Sequence, residues 1–172
     1  SRGGLKGVAP DAQIYAYKVL SSGGSGSSLG IINAIEAAVD SGVDVISMSL
    51  GGGGDENSAM SVASENAMNA GVVVVVAAGN SGPGKETVAS PGNARQIITV
   101  GATDKSNLIA SFSSRGPVGD RIKPEIVAPG VNICAAQWGS WFEGSKECTP
   151  NLDKHIAISG TSMATPHLAG AV

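Results

Sequence analysis

The apolar run from Val72 to Ala77 constrains the fold more than any other stretch of the chain, because it is mostly valine and has no polar face. β-Branched residues such as valine favour extended backbone. A strand that is apolar on both faces needs cover on both, as the inner strands of parallel sheets have. The run therefore predicts a central strand of a parallel sheet.

Strand-like and helix-like stretches alternate on both sides of this run. Further strands are predicted at residues 14–20, 43–50 and 97–102 and around Val127, and helices at 29–39, 58–70 and 162–172. In the first helix, the apolar stripe of Leu29, Ile32, Ile35 and Val39 would leave Glu36 facing solvent. The alternation predicts an α/β domain with a mostly parallel sheet, and no linker or repeat divides residues 1–172.

Charge and hydropathy exclude two classes of partner. Charged residues make up 15% of the chain and the formal net charge is -3, so no basic stripe is available to bind nucleic acid. The longest fully apolar run, from Val72 to Ala78, is too short to span a membrane. We therefore expect neither nucleic acid nor a membrane as a partner.

The most informative short motif is GTSMATPH at residues 160–167. Gly160 permits close backbone approach, and Pro166 is best tolerated in a first helical turn, so a helix is expected to begin near Ser162. A serine there lies beside unpaired N–H groups and the positive end of the helix dipole, which suits a nucleophile whose attack creates an oxyanion. On position alone, an ordinary N-cap serine is the stronger interpretation.

A second candidate is Asn80, in the sequence AAGNSG at residues 77–82. An asparagine at the carboxyl end of a buried strand can direct its amide into the cleft where parallel sheets bind ligands, although a simple turn explains the same residues. The glycine-containing stretches 24–26 and 49–52 leave backbone groups uncovered, so an extended peptide could pair with them. Two flexible loops are the alternative.

Taken together, these stretches resemble the subtilase family of serine proteases in their order and spacing. The shared motifs are GVAP at 7–10, YKVL at 17–20, SMSLGG at 47–52, AAGN at 77–80, SFSS at 111–114, APG at 128–130 and the Ser162 motif. They cover essentially the whole chain. The resemblance implies a subtilisin-like fold, three-layered with helices on both faces of the sheet, of which this chain would be an incomplete part.

The resemblance also implies a reaction, the hydrolysis of peptide bonds in a polypeptide substrate through an acyl-enzyme with Ser162 as the nucleophile. Asn80 would donate its amide to the oxyanion, together with the backbone N–H of Ser162. Two segments would flank the substrate backbone as strands: Ser49, Leu50 and Gly51, and Gly24, Ser25 and Gly26. The pocket for the residue before the scissile bond would be lined by Ala77, Gly79 and Ala89. Because these residues carry no charge, we expect a preference for apolar or aromatic side chains there.

The other two members of a subtilase triad are missing. The family orders its triad Asp, His, Ser along the chain, and GVAP at residues 7–10 already resembles the segment after the His. Of the two histidines present, His167 lies roughly one and a half helical turns after Ser162 and should point away from it, as a packed, hydrogen-bonded core residue. His155 matches no catalytic position and is interpreted as a surface residue. The chain alone is therefore expected to have little or no proteolytic activity.

An incomplete domain should expose apolar surface, so we expect the chain to bind the missing N-terminal part of its own domain or to self-associate. No cofactor is expected for catalysis. The resemblance implies structural calcium, with a strong site in a loop that ends near residues 1–5 and a weaker cation site near Glu125, where a solvated glutamate is the stronger interpretation.

Two cysteines, Cys134 and Cys148, lie in one short stretch that a disulfide could close, with two buried thiols as the alternative. A disulfide would agree with an extracellular, secreted protein. The stretch between them is an insertion relative to the shortest family members. It carries Trp138, Trp141 and Phe142, which are predicted to pack over the rim of the cleft.

Three functions remain to be weighed: a serine endopeptidase, a non-catalytic subtilase-like interaction module, and a doubly wound domain that binds a nucleotide. The sequence GSGSSL at residues 24–29 lacks the last glycine of a dinucleotide-binding fingerprint, and no P-loop motif occurs. The joint presence of Ser162 and Asn80 favours the endopeptidase.

Overall fold

The structure of the chain is a computed structural model that describes residues 5–137, 148 and 155–172. The predicted aromatic rim of Trp138, Trp141 and Phe142, and most of the predicted calcium loop, lie outside these residues. The elements in chain order are α1 (Ser28–Asp40), β1 (Val45–Met48), α2 (Ala59–Asn69), β2 (Val73–Ala77), β3 (Ile98–Thr103), β4 (Ile126–Pro129), β5 (Ile133–Ala136), β6 (His155–Ile158) and α3 (Thr161–Ala171).

The main sheet is parallel and has the strand order β1-β2-β3-β4. The valine run forms β2, which pairs with β1 on one side and β3 on the other, as predicted for a central strand. Val75 aligns with Ser47 in β1 and with Ile98 in β3. The antiparallel pair β5-β6 was not predicted, because its strands are short and lack a regular apolar alternation.

The two faces of β2 belong to two different cores. Val74 and Val76 pack in a cluster with buried residues of α1 and α2, whereas Val75 packs in a second cluster with Val100 of β3 and Ala164 of α3. All three valines are fully buried. Helices therefore cover both faces of the sheet, and the predicted three-layer α/β architecture is confirmed.

Serine residues define where two of the helices begin. Ser27 Oγ accepts a hydrogen bond from the Gly30 N–H at 3.1 Å, and Ser58 Oγ accepts one from the Ser61 N–H at 3.4 Å, so each caps a helix N-terminus. The capping hydroxyls explain why α1 and α2 begin at Ser28 and Ala59.

The buried face of α1 overlaps the predicted stripe without being identical to it: Ile35 is buried, and Ile32 and Val39 are partly buried against the same core. Ile31, Ile35 and Ala38 are buried, whereas Leu29 is 67% exposed. Both sets have helical spacing, so periodicity alone could not distinguish them. Packing against α2 and the sheet selects the face. Glu36 is exposed, as expected.

The prediction of a buried strand at residues 14–20 is wrong. Ile14 is 81% exposed, Tyr15 is 52% exposed, and no backbone hydrogen bond joins the segment to β1 within the described part of the chain. An extended segment becomes a strand only where it has a ladder partner, and β1 is an edge strand here. An open groove of about 960 Å³ separates the segment from β1 and α3.

No helix among the described residues has both the length and the apolar character needed to cross a bilayer.

Candidate active site

The helix α3 begins at Thr161, directly after Gly160, so Ser162 is its second residue. Gly160 occupies the N-cap position and makes no side-chain cap. Ser162 Oγ does not cap the helix either, because it donates a hydrogen bond to the carbonyl oxygen of Ser49 at 3.2 Å. The alternative of an ordinary N-cap serine is therefore wrong, and the hydroxyl faces the carboxyl end of β1.

Asn80 follows β2 and is oriented by the start of α3. Its Oδ1 accepts from the backbone N–H of Thr161 at 2.9 Å and from Thr161 Oγ1 at 3.0 Å. Because a backbone N–H can only donate, the atom that faces it must be the oxygen, and the amide NH₂ points the other way. Thr161 is fully buried and its Oγ1 also accepts from the Gly79 N–H at 3.2 Å, so the orientation of Asn80 is anchored.

Two N–H donors converge beside Gly160. A β-carbon built on this glycine would lie 3.5 Å from Asn80 Nδ2 and 3.6 Å from the backbone nitrogen of Ser162. The Ser162 N–H has no acceptor among the residues that the structure describes. Two donors without an acceptor among the described residues thus lie beside the same glycine, at the positive end of a helix, a position that suits a negatively charged oxygen.

The loops that follow β1 and β2 both approach Ala89, and the space bounded by Gly51, Gly79 and Ala89 is called the slot. β-Carbons built on Gly51 and on Gly79 would each lie 3.3 Å from the Ala89 Cβ. Backbone hydrogen bonds hold the walls: Gly52 and Ser90 exchange two, at 2.9 and 3.1 Å, and the Ala89 N–H donates to Ala78 at 3.0 Å. The structure thus brings Gly51, Gly79 and Ala89 together, close to Ala77 at the end of β2.

A buried hydroxyl network supports this slot from behind. Ser90 Oγ lies 2.7 Å from Ser58 Oγ and 3.1 Å from Ser61 Oγ, and Ser61 Oγ donates to Asn93 Oδ1 at 3.1 Å. Asn93 Nδ2 donates to the Gly54 carbonyl at 2.9 Å, so the network ties α2 to the loop after β1. Neither this network nor the contacts of Thr161 were predicted from the sequence, because no local pattern shows that residues far apart in the chain meet.

The other predicted peptide-binding loop lies apart. Gly24, Ser25 and Gly26 are exposed, and the loop is closed by its own hydrogen bond from the Ser21 N–H to the Ser25 carbonyl at 2.9 Å. Within the described residues, no hydrogen bond joins it to Ser162 or to residues 49–51. Leu50 is half-buried and packs against the core on the α1 side.

Neither histidine lies where it could act as the base. His167 is half-buried, and its Nδ1 is 2.8 Å from the Met163 carbonyl oxygen, within its own helix. His155 is 9% exposed, so its interpretation as a surface residue is wrong. It begins β6, where it pairs with Ala136 of β5. Among the described residues, the only hydrogen-bond partner of Ser162 Oγ is the Ser49 carbonyl.

Glu125 is already paired with protein groups. Its Oε1 is 2.7 Å from Lys123 Nζ, and its Oε2 accepts from the Thr99 N–H at 2.9 Å. Lys123 is buried and also donates to the Ile97 carbonyl and to Thr99 Oγ1. Burial lowers the pKa of Lys123, and the hydrogen bond to Glu125 opposes that shift.

These contacts do not fit a metal ion at Glu125, because an ammonium group and a backbone N–H occupy the two carboxylate oxygens. No group of three or more potential metal ligands occurs in the described part of the chain. Elsewhere, Cys134 in β5 is joined to Cys148 by a disulfide with a Cα–Cα distance of 5.6 Å.

Comparison with known proteins agrees with this geometry. The model of the subtilase family matches residues 1–172. The chain is 41% identical to the serine protease AprX of Bacillus subtilis (strain 168), over 99% of this chain and 43% of that protein. It is 43% identical to subtilisin E of the same organism, over 98% of this chain and 40% of that protein. Among solved structures, sphericase matches with a TM-score of 0.76 and 37% identity, over 94% of this chain and 53% of that chain. The chain thus spans about half or less of the length of these relatives.

Proposed function

Since the chain belongs to the subtilase family of serine proteases, we propose that it carries the nucleophile and the oxyanion-binding half of a serine endopeptidase site. The observation that supports this proposal most is the convergence of Asn80 Nδ2 and the Ser162 N–H on one space beside Gly160. Ser162 would supply both the attacking hydroxyl and one of these two donors. If Ser162 were an ordinary N-cap and Asn80 part of a simple turn, these two donors would have no reason to lie side by side.

The proposed reaction follows from the positions of these groups. Ser162 Oγ attacks the carbonyl carbon of the scissile peptide bond, and its proton passes to a base. The carbonyl oxygen becomes an oxyanion and accepts from Asn80 Nδ2 and the Ser162 N–H. The amine product leaves with a proton from the same base, and water then hydrolyses the acyl-enzyme. Residues 49–51 would align the substrate backbone, and residues 24–26 are proposed to join them only when a peptide is bound.

We propose that the base is supplied by a segment upstream of this chain, and we call the chain together with that segment the longer protein. Two observations support this proposal: β1 is an edge strand in the described part of the chain, and an open groove lies beside it. Ile14 and Tyr15 are exposed beside this groove and would be covered. Without the segment, the same surface favours self-association.

The chain alone is therefore expected to react poorly with a fluorophosphonate probe, whereas the longer protein should be labelled rapidly at Ser162. Labelling is followed by mass spectrometry of the modified peptide, and size-exclusion chromatography should show self-association of the chain alone. Rapid labelling of Ser162 in the chain alone would disprove the need for an upstream base. Absence of labelling in the longer protein would favour a non-catalytic interaction module.

The slot above Ala89 is proposed to bind the side chain before the scissile bond and to prefer apolar or aromatic residues. A Cβ at Gly51 would enter this slot, 3.2 Å from the Ser90 carbonyl oxygen and 3.3 Å from the Ala89 Cβ. In the longer protein, Gly51→Ala should therefore lower kcat/KM for a phenylalanine substrate about tenfold more than for an alanine substrate.

Peptide-library profiling and steady-state kinetics measure this preference. Gly53→Ala is a matched control, because a Cβ at Gly53 meets no atom within 4 Å. Cleavage mainly after Lys or Arg would refute the proposed pocket.

The proposed chemistry uses only protein groups and needs no cofactor. Structural calcium stays a prediction that the contacts of Glu125 do not support. We also propose that the protein acts outside the cell, where the Cys134–Cys148 disulfide would persist.

A further inference from the structure

The helix that carries Ser162 contains a proline where a backbone donor is needed. Pro166 is the sixth residue of α3 and lies beyond the first turn, in which its sequence context predicted it. In a regular α-helix, the N–H of residue 166 would donate to the carbonyl oxygen of Ser162. Proline has no N–H, so the Ser162 carbonyl lacks its helical donor.

A side chain from a distant part of the chain takes the place of this donor. Ser49 Oγ, just past the end of β1, donates to the Ser162 carbonyl oxygen at 2.7 Å. The Ser162 hydroxyl donates in the opposite direction, to the Ser49 carbonyl oxygen at 3.2 Å. Two residues separated by 113 positions in sequence are thus joined by two hydrogen bonds.

We propose that Ser49 is a positioning residue for the nucleophile, acting through the hydrogen bond that Pro166 cannot make. This inference rests on the proposed protease function. During the reaction, the Ser162 hydroxyl must turn from the Ser49 carbonyl to the base, so that bond breaks. The bond from Ser49 Oγ to the Ser162 carbonyl persists and keeps the first turn of α3 against the segment that aligns the substrate.

The consequence for catalysis is geometric. Ser162 supplies both the attacking oxygen and one of the two oxyanion donors, so a shift of its backbone moves both relative to Asn80. Small displacements of reacting groups lower rates strongly, because attack requires a narrow range of distances and angles. Loss of the Ser49 hydroxyl should therefore lower kcat, while KM should change little because the backbone of Ser49 is retained.

The test compares four forms of the longer protein: wild type, Ser49→Ala, Pro166→Ala and the double variant. Ser49→Ala should lower kcat about tenfold, the expected effect of leaving one carbonyl without its donor. Alanine at position 166 restores an N–H that can donate to the Ser162 carbonyl. The double variant should therefore recover most of the lost kcat, and Pro166→Ala alone should change kcat less than Ser49→Ala does.

Ser106→Ala is the matched control, because Ser106 is also an exposed serine in a segment that follows a strand of the main sheet, it does not line the groove beside β1, and its side chain makes no hydrogen bond within the described residues. It should leave kcat unchanged. An unchanged kcat in Ser49→Ala, or a double variant as slow as Ser49→Ala, would overturn the proposal. A change confined to KM would show that Ser49 binds substrate and does not position the nucleophile.

Thermal unfolding of the same four proteins separates this inference from the proposed function. A wild type that neither cleaves peptides nor reacts with the probe would refute the protease proposal. Even then, unfolding midpoints that shift non-additively would support the Ser49–Pro166 link, and additive shifts would refute it.

Discussion

Replacement of Ser162 by alanine in the longer protein is expected to lower kcat by about 10⁶-fold, which is the size of the effect measured for subtilisin, a member of the same family. The reason is that Ser162 Oγ is the only atom proposed to form the covalent intermediate. The oxyanion donors and the substrate pocket remain, so a small residual rate should persist. KM should change little, because the hydroxyl contributes to attack and not to binding.

Peptide-cleavage kinetics and fluorophosphonate labelling test this expectation. In the Ser162→Ala protein, peptide cleavage and labelling should be lost together. Ser159→Ala is a matched control three residues earlier. Ser159 Oγ accepts from the Asn132 N–H at 2.9 Å and is not part of the proposed site. The Ser159→Ala protein should retain wild-type activity. A Ser162→Ala protein with more than about one hundredth of wild-type kcat would rule out Ser162 as the nucleophile, because far larger losses accompany loss of a nucleophile.

The second large effect is expected for Asn80→Leu, which should lower kcat of the longer protein by about 10²- to 10³-fold, the range measured for the corresponding donor in subtilisin. Leucine has nearly the shape of asparagine but can neither donate a hydrogen bond to the oxyanion nor accept the two from Thr161. Because the oxyanion exists only along the reaction path, the substrate should bind with nearly unchanged KM.

The two hydrogen bonds that Thr161 donates to Asn80 allow a further test of this prediction. Thr161→Val removes the Oγ1 donor to Asn80 Oδ1 but keeps the backbone N–H donor, so its loss of kcat should be smaller than that of Asn80→Leu. Asn69→Leu, at the exposed end of α2, is the control and should retain activity. A rise in KM with unchanged kcat in Asn80→Leu would show that Asn80 binds the ground state of the substrate.

Local sequence patterns were sufficient for most of the fold. The valine run predicted β2 because a strand without a polar face can only be an inner strand. The helix α1 was predicted from its apolar spacing and from the glycine that follows it, and α2 from a helix-like stretch rich in small residues. Residues 14–20 show where this reasoning fails: their composition favours a strand, but a strand also needs a partner, and the described residues provide none.

The site was harder to predict from single residues. Ser162 by itself was better explained as an N-cap and Asn80 as part of a turn, and only the series of motifs that resembles the subtilases raised both to site residues. His155 was taken for a surface residue because it matches no catalytic position, and no local pattern indicated that it would be buried. The role of Thr161 was not predicted, although it stands next to Ser162 in the motif.

By itself, then, the sequence determined the family, the central strand and the helix that carries Ser162, and it predicted Ser162 as the nucleophile and Asn80 as its oxyanion partner. These depend on local backbone preferences and on motif order, both of which are properties of neighbouring residues. Only the tertiary structure decided how Asn80 is oriented, how Ser49 replaces the donor that Pro166 lacks, and how Gly51 and Gly79 form a slot over Ala89. Hydrogen bonds and close contacts between residues far apart in the chain are set by the packing of the whole domain, and no periodicity or motif records them.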